Sequence, residues 1–258
     1  DAQTIVVAGV DDDGDDDDQD TTVTIAVDAV SSDDTYDPLA DQTVTVTTVD
    51  DDTTGYTLSA AAVTVAEAGS TDSFTVVLDS EPTADVVFDI SSADTGEATV
   101  SPSTLTFTTA NWDDAQTIVV AGVDDDGDDD DQDTTVTLSV NAAATSDSLY
   151  DALADQTVTA TTTDDDETGY THEVTALIVD ETGSTDSFTV VLDSEPFSPV
   201  VISVSSLDEG EVTVSPATLT FTSSNWSTPQ SVTVASVDDS IDDGSQGTTI
   251  TLSVDASS

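Results

Sequence analysis

The chain has 258 residues, of which 56 are acidic, one is His and none is Lys or Arg, giving a formal charge of −56. Without cations it has no purchase on phosphate backbones, which excludes nucleic acid as a partner, and the same charge argues against binding to anionic membrane surfaces. Monovalent salt screens over about 8 Å, too long a reach to hide carboxylates of one loop from each other, so divalent cations are the expected counter-charge.

Residues 1–24 return letter for letter at 114–137. GSTDSFTVVLDSEP at 69–82 recurs at 183–196, and Asn111-Trp112 recurs as Asn225-Trp226. A period of this size is a domain, not a solenoid unit. The phase is set by Gly-Tyr-Thr at Gly55 and Gly169, each after an acidic run. Residues 1–54 then read as the C-terminal half of a repeat, 55–168 as a complete one, and 169–258 as one lacking its last strand. A half-domain cannot bury a core alone. Such ends are expected either within a longer array or where neighbouring molecules complete them.

Period-2 alternation and Thr/Val richness predict the strands of the complete repeat in chain order. The first spans 56–66. The next, 73–79, puts Phe74, Val76 and Leu78 on one face, and 85–91 does the same with Val86, Phe88 and Ile90. A short edge strand follows near 98–100. Strands at 105–109, 117–123, 134–140 and 156–163 complete the set, with Leu105, Phe107, Val136, Leu138 and Val140 inward. The opposite faces are mostly Thr and Ser, as a sheet with one wet side requires. No helical period is present. The expected fold is all-β, a series of tandem immunoglobulin-like seven-stranded β-sandwiches. No run of about 18 apolar residues offers a spanning helix in this segment.

Acid follows every second strand: Glu67; Asp94 and Glu97; Asp124, Asp125 and Asp126 with Asp128–Asp131; and Asp164, Asp165 and Asp166 with Glu167. In an up-and-down count those strands run the same way, so their ends meet at one pole, where the chain passes into the next repeat. Ca²⁺ takes six to eight oxygens, largely carboxylate and carbonyl, and this pole supplies them in excess. The same clusters stand at Asp11, Asp12 and Asp13 and at Asp50, Asp51 and Asp52, and in the last repeat at Glu181, Asp238, Asp239 and Asp242. The opposite pole carries Ser80-Glu81-Pro82 and a loop with Asp147, Asp151 and Asp155, whose carboxylates are candidates to complete a site at the junction.

These features together resemble the Calx-beta family and the related repeats of bacterial surface adhesins. The matching residues are Glu67-Ala68-Gly69 and Glu181-Thr182-Gly183, SFTVVLDS after each, LTFT before Asn-Trp, Val123–Asp126 and Val237–Ser240, and TTTDDD at Thr161–Asp166. The resemblance implies a seven-stranded sandwich that binds calcium at one tip. It implies ligands at Glu67, Asp124, Asp125, Asp164, Asp165, Asp166, Glu181, Asp238 and Asp239. The loop DDDGDDDDQD departs from the family in being more acidic than the pattern needs.

Other readings fare less well. Salt adaptation alone would spread acid over strand faces, which are Thr and Ser instead. An EF-hand with Gly127 at position six would start at Gly122, which has no carboxylate. His172 faces Leu58 in the alignment of repeats and has no Cys nearby, so it reads as incidental. Trp112 and Trp226 read as core or loop-anchoring residues in preference to a sugar-stacking surface. Ser and Thr lack an activating base, so no active site is expected. The sequence thus predicts an extracellular, calcium-binding structural repeat forming a stiff stalk or fibre, with neighbouring repeats or identical subunits as end-to-end partners. The alternatives are an adhesive module recognising a glycan or a cell-surface partner, and a calcium sensor of the Calx-beta kind.

Overall fold

The computed structural model describes residues 2–241 and 244–255. The described chain is all-β, with one 3-10 turn at Tyr150–Ala152. It divides into two compact units: residues 1–64, 71–121 and 134–160, and residues 65–70, 122–133 and 161–258. The acidic segments after residues 64, 121 and 160 therefore belong to the second unit.

The chain begins with an antiparallel pair, β1 (Gln19–Ile25) and β2 (Gln42–Thr48), in register Val23 to Val44. Nine strands follow: β3 (Tyr56–Leu58), β4 (Ala62–Ala66), β5 (Thr71–Leu78), β6 (Val86–Ser92), β7 (Ala98–Ser101), β8 (Thr104–Phe107), β9 (Gln116–Gly122), β10 (Gln132–Val140) and β11 (Gln156–Thr163). They make two sheets, β4-β11-β10-β6-β8 and β3-β5-β9-β7. Of the residues that the alternation marks as inward, Phe74, Val76, Leu78, Val86, Phe88, Ile90, Leu105, Phe107, Val136 and Leu138 are buried and Val140 is half-buried; Ile118, Val120 and Val158 are buried with them. Phe74 stands opposite Ile118, and Leu138 opposite Ile90. Tyr56, Phe88 and Phe107 stack edge to face, with centroids 4.8 and 6.0 Å apart. Edge-to-face contact is the arrangement that ring quadrupoles favour.

One expected strand is two. The segment 56–66 breaks at Ser59-Ala60-Ala61, so that β3 pairs with β5 and β4 joins the opposite sheet beside β11. Small residues at the break let the chain cross from one sheet to the other, and each half buries its own apolar residue, Tyr56 or Val63.

The last strands are β12 (Tyr170–His172), β13 (Thr185–Leu192), β14 (Val200–Ser206), β15 (Val212–Ser215), β16 (Thr218–Phe221), β17 (Gln230–Ser236) and β18 (Ile250–Val254). They form the sheets β12-β13-β17-β15 and β16-β14-β18 around Phe188, Val190, Leu192, Ile202, Val204, Leu219, Phe221, Val232 and Val234. Among the described residues no strand forms over 176–180, the counterpart of β4 in the preceding repeat.

Candidate metal centre

Glu67 is the first residue past β4. Its N–H donates to the Thr163 carbonyl at 3.1 Å, which fixes it beside the end of β11. The chain then turns sharply. Gly69 has φ +84°, a conformation that glycine adopts without steric cost, and its N–H returns to Ala66 O at 3.2 Å. Ser70 Oγ accepts the Ala66 N–H, and Ser70 O accepts the N–H of Gly122 at the end of β9. A Cβ on Gly122 would stand 2.2 Å from Ala66 O, so this approach of β9 to β4 requires glycine. In this way the ends of β4, β9 and β11 come together. One carboxylate oxygen from each of Glu67, Asp164 and Asp166 lies within 4.8 Å of the others. Glu67 is only 1% exposed, and the two Asp are half-buried.

The loop after β9 wraps around this group. Asp129 and Asp130 both donate backbone N–H to Asp164 Oδ2, at 3.0 and 2.9 Å. Asp130 takes φ +63°, which turns those two N–H groups toward one acceptor. Asp164 Oδ1 accepts the Asp166 N–H at 2.8 Å, and Asp125 Oδ1 accepts the Gly127 N–H at 2.7 Å. Asp128 is held by Thr168, through both N–H and hydroxyl.

The hydrogen-bond pattern of this acidic loop recurs earlier in the chain, without a counterpart of Glu67. Asp16 N–H donates to Asp50 Oδ2, Asp52 N–H to Asp50 Oδ1, Gly14 N–H to Asp12 Oδ1 and Thr54 N–H to Asp15 Oδ2. A cleft of about 360 Å³ opens there, lined by Asp11, Asp12, Asp16, Asp50, Asp51 and Asp52. Each cage also docks through its backbone. Asp13 O accepts the Glu81 N–H at 2.6 Å, and Asp126 O accepts the Glu195 N–H at 2.5 Å.

Electrostatics follow from this crowding. Burial and the charges of Asp125 and Asp164 push the Asp129 carboxyl up from its ordinary value. Burial and the charges of Asp164, Asp165, Asp126 and Asp124 do the same to Asp166. Burial followed by Asp51, Asp50, Asp13 and Asp11 raises Asp52 in the earlier cage. Asp128 moves the other way, because the hydroxyl and N–H of Thr168 stabilise its anion. A raised folded-state value means that the folded chain binds more protons than the unfolded one, so stability grows as pH falls. In chelator, the melting temperature should therefore rise as pH is lowered from neutral toward the ordinary carboxylate value near 3.9. Saturating Ca²⁺ should abolish that rise by occupying the same oxygens. Thermal melts at several pH values, with and without the ion, check this. A melting temperature that is flat or falling over that range in chelator would contradict it.

The remaining predicted residues are placed differently. Asp124, Asp125, Asp126 and Asp165 are exposed on the cage's rim, as is Asp51 on the earlier one. Asp94 is exposed and accepts the Gly96 N–H in its own loop, while Glu97 is half-buried before β7. In the last repeat Glu181, Asp238 and Asp239 are exposed and are not gathered into a cluster, and Asp242 lies outside the described residues. Glu67 is carried into its place by β4, and residues 176–180 make no such strand. Asp147 was a candidate for a junction site, but it is 2% exposed and accepts from Thr83 N, Thr83 Oγ1 and Leu149 N at 2.7, 2.7 and 2.9 Å. It ties two loops of one sandwich together. Trp112 O and Trp226 O accept the N–H of Leu78 and Leu192, and the Trp226 side chain packs partly buried against the core of the last sandwich. His172 is exposed, and its Nδ1 lies 2.9 Å from Val174 O.

No family model and no curated protein matches the sequence. Among solved structures, CBD12 from CALX1.2 is similar at 13% identity and TM-score 0.34, over 77% of this chain and 79% of that one. CBD12 of CALX1.1 is similar at 14% identity and TM-score 0.33, over 69% and 74%. Domains 4 and 5 of the S-layer protein SbsC are similar at 17% identity and TM-score 0.30, over 48% and 53%. No helix among the described residues is long and apolar enough to cross a membrane.

Proposed function

We propose that this chain is an extracellular structural repeat protein whose acidic cages bind Ca²⁺ and thereby stiffen a stalk or fibre built of repeats, or of identical subunits, joined end to end. One observation carries the reading. Glu67, Asp164 and Asp166 converge, one of them fully buried, in a chain with no Lys or Arg to offset them. Grouped buried carboxylates are costly unless a cation joins them. Hard oxygen donors of this number and flexibility suit Ca²⁺ better than Mg²⁺, which demands near-octahedral order, or Zn²⁺, which prefers N and S. Glu67, Asp164 and Asp166 would hold the ion, and the exposed Asp124, Asp125 and Asp165 stand on the rim. The chemistry is structural, with the ion serving as a cross-link between strand ends and the acidic loop.

The adhesive alternative needs an exposed aromatic surface in every repeat. The strongly exposed aromatics among the described residues are Tyr36, 60% exposed, and Phe197, 82%. Neither recurs in kind: Tyr150, at the position of Tyr36, is buried, and Thr83 stands where Phe197 does. This favours the structural reading.

Replacing Asp164, Asp165 and Asp166 together by Asn tests it. Calorimetric titration should lose the Ca²⁺ bound at this cage while the circular dichroism of the sandwich persists. Small-angle scattering in Ca²⁺ should report a more flexible particle. Unchanged stoichiometry would place the ion elsewhere.

A further inference from the structure

The turn between β16 and β17 carries a change that sets it apart from its counterpart in the complete repeat. Asn111-Trp112-Asp113-Asp114 becomes Asn225-Trp226-Ser227-Thr228. Both turns have the same build. Asn111 Oδ1 accepts the Thr108 N–H at 2.6 Å and the Thr108 hydroxyl at 2.8 Å, and Asn225 Oδ1 accepts the same groups of Thr222 at 2.6 and 3.0 Å. Because the two turns agree, the geometry at Asn225 belongs to the repeat itself.

Holding the turn uses the oxygen of the Asn225 carboxamide. The nitrogen is spare: Nδ2 makes one long hydrogen bond, to Thr220 O at 3.3 Å, and that carbonyl also takes Gln230 Nε2 at 2.8 Å. Losing one amide hydrogen would therefore leave the turn intact. Ser227 and Thr228 are exposed, as Asp113 and Asp114 are. Asn-x-Ser with x other than Pro is the acceptor signal for N-linked glycans in exported chains, and it stands here on a surface turn, where such a modification fits. Asn111 and Asn141 lack the signal, being followed two residues on by Asp113 and Ala143. The exchange that creates it also removes two carboxylates, so this turn gives up charge in a chain that elsewhere keeps it.

We propose that Asn225 is the attachment site of an N-linked oligosaccharide. In the transfer, Nδ2 bonds to the anomeric carbon of a polyprenyl-diphosphate-linked oligosaccharide, the C–O bond to the diphosphate breaks, the polyprenyl diphosphate leaves with the bonding electrons, and Nδ2 gives up a proton. The glycan, bulky and hydrated, takes over the solvating role that Asp113 and Asp114 have in the complete repeat. Its place is near a joint: Trp226 O accepts the Leu192 N–H, and the loop that follows Leu192 docks through the Glu195 N–H on Asp126 O. The inference rests on the extracellular part of the reading above, since the lipid-linked donor is met in export. It does not depend on the ion.

Secretion of the 258-residue chain by a eukaryotic cell line, behind a cleavable signal sequence, tests it. Intact mass should exceed the 26.4 kDa of the polypeptide by one oligosaccharide. Peptide N-glycosidase should remove the excess and turn the Asn225 side chain into a carboxylate, which peptide mass spectrometry locates. Ser227→Ala should abolish the excess and Ser227→Thr should keep it; both act at an exposed position and leave the Asn225 oxygen in its turn. Since Asn225→Gln risks disturbing the turn, Asn225→Asp, which keeps an acceptor for Thr222, is the second variant, and it should also lose the excess. A secreted chain with bare Asn225 overturns the inference and leaves Ser227 and Thr228 as polar surface only. So does an excess that survives Ser227→Ala, which would place the sugar elsewhere. Titration of the same material with Ca²⁺ separates the two readings: a glycan with no bound Ca²⁺ removes the calcium reading alone, and Ca²⁺ binding with bare Asn225 removes this one alone.

Discussion

Chelation should lower the melting temperature of the chain by roughly 5–10 °C for each site that empties. The magnitude comes from linkage. Extracellular calcium modules bind with Kd of about 10⁻⁴–10⁻³ M, so 10 mM Ca²⁺ stabilises by about 1.4–2.7 kcal/mol per site. A domain near 100 residues shifts by several degrees per kcal/mol. The direction is secured by the cage itself. Without the ion, the carboxylates of Glu67, Asp164 and Asp166 stand close together with no Lys or Arg in the chain to offset them. Scanning calorimetry in Ca²⁺ and in chelator at modest ionic strength measures the shift. Identical melts would remove calcium from the account of stability. Mg²⁺ at the same concentration should recover only part of the shift, since it dehydrates reluctantly.

Asp147→Ala should cost about 2–4 kcal/mol, a comparable loss from one substitution. Burial pushes this carboxyl up, but hydrogen bonds from the hydroxyl and N–H of Thr83 and from the N–H of Leu149 and Tyr150 outweigh it and hold the group below its ordinary value. A depressed folded-state value gives stability that is complete above the unfolded value, near 3.9, and is lost as pH falls through the folded one. Removing the side chain takes away the acceptor shared by the Thr83 N–H and hydroxyl and the Leu149 N–H. It also loosens Tyr150, whose hydroxyl donates to Ser80 O at 2.6 Å. Asp147→Asn should cost less, because an amide oxygen still accepts. Denaturant melts at neutral pH separate the two. Equal, small losses for both would show that the hydrogen bonds contribute little.

These two sites show how far the residues alone could lead. The alternation of Phe74, Val76 and Leu78 locates a strand because side-chain period is a local property, and β5 lies within two residues of the expected bounds. Strand β11 matches at both ends. The break between β3 and β4 was not legible, since Ser59-Ala60-Ala61 interrupts the alternation no more than an ordinary wet face does. Asp147 looks in sequence like any loop acid, and its burial is decided by Thr83, 64 positions earlier. Convergence of Glu67 with Asp164 and Asp166 was legible from strand direction. That Glu181 would fail to join a similar group was not, because its placement depends on whether β4 has a counterpart in that repeat.

The contact between an acidic loop and the loop it docks against joins a carbonyl to an N–H, Asp13 to Glu81 and Asp126 to Glu195. Every residue except proline offers both groups. The joint therefore reads the path of the chain and not the identity of its side chains, and the neighbouring exchange of Thr83 for Phe197 leaves it unchanged. Units that keep their loop lengths can consequently be duplicated, deleted or reordered without a compensating substitution on the other side.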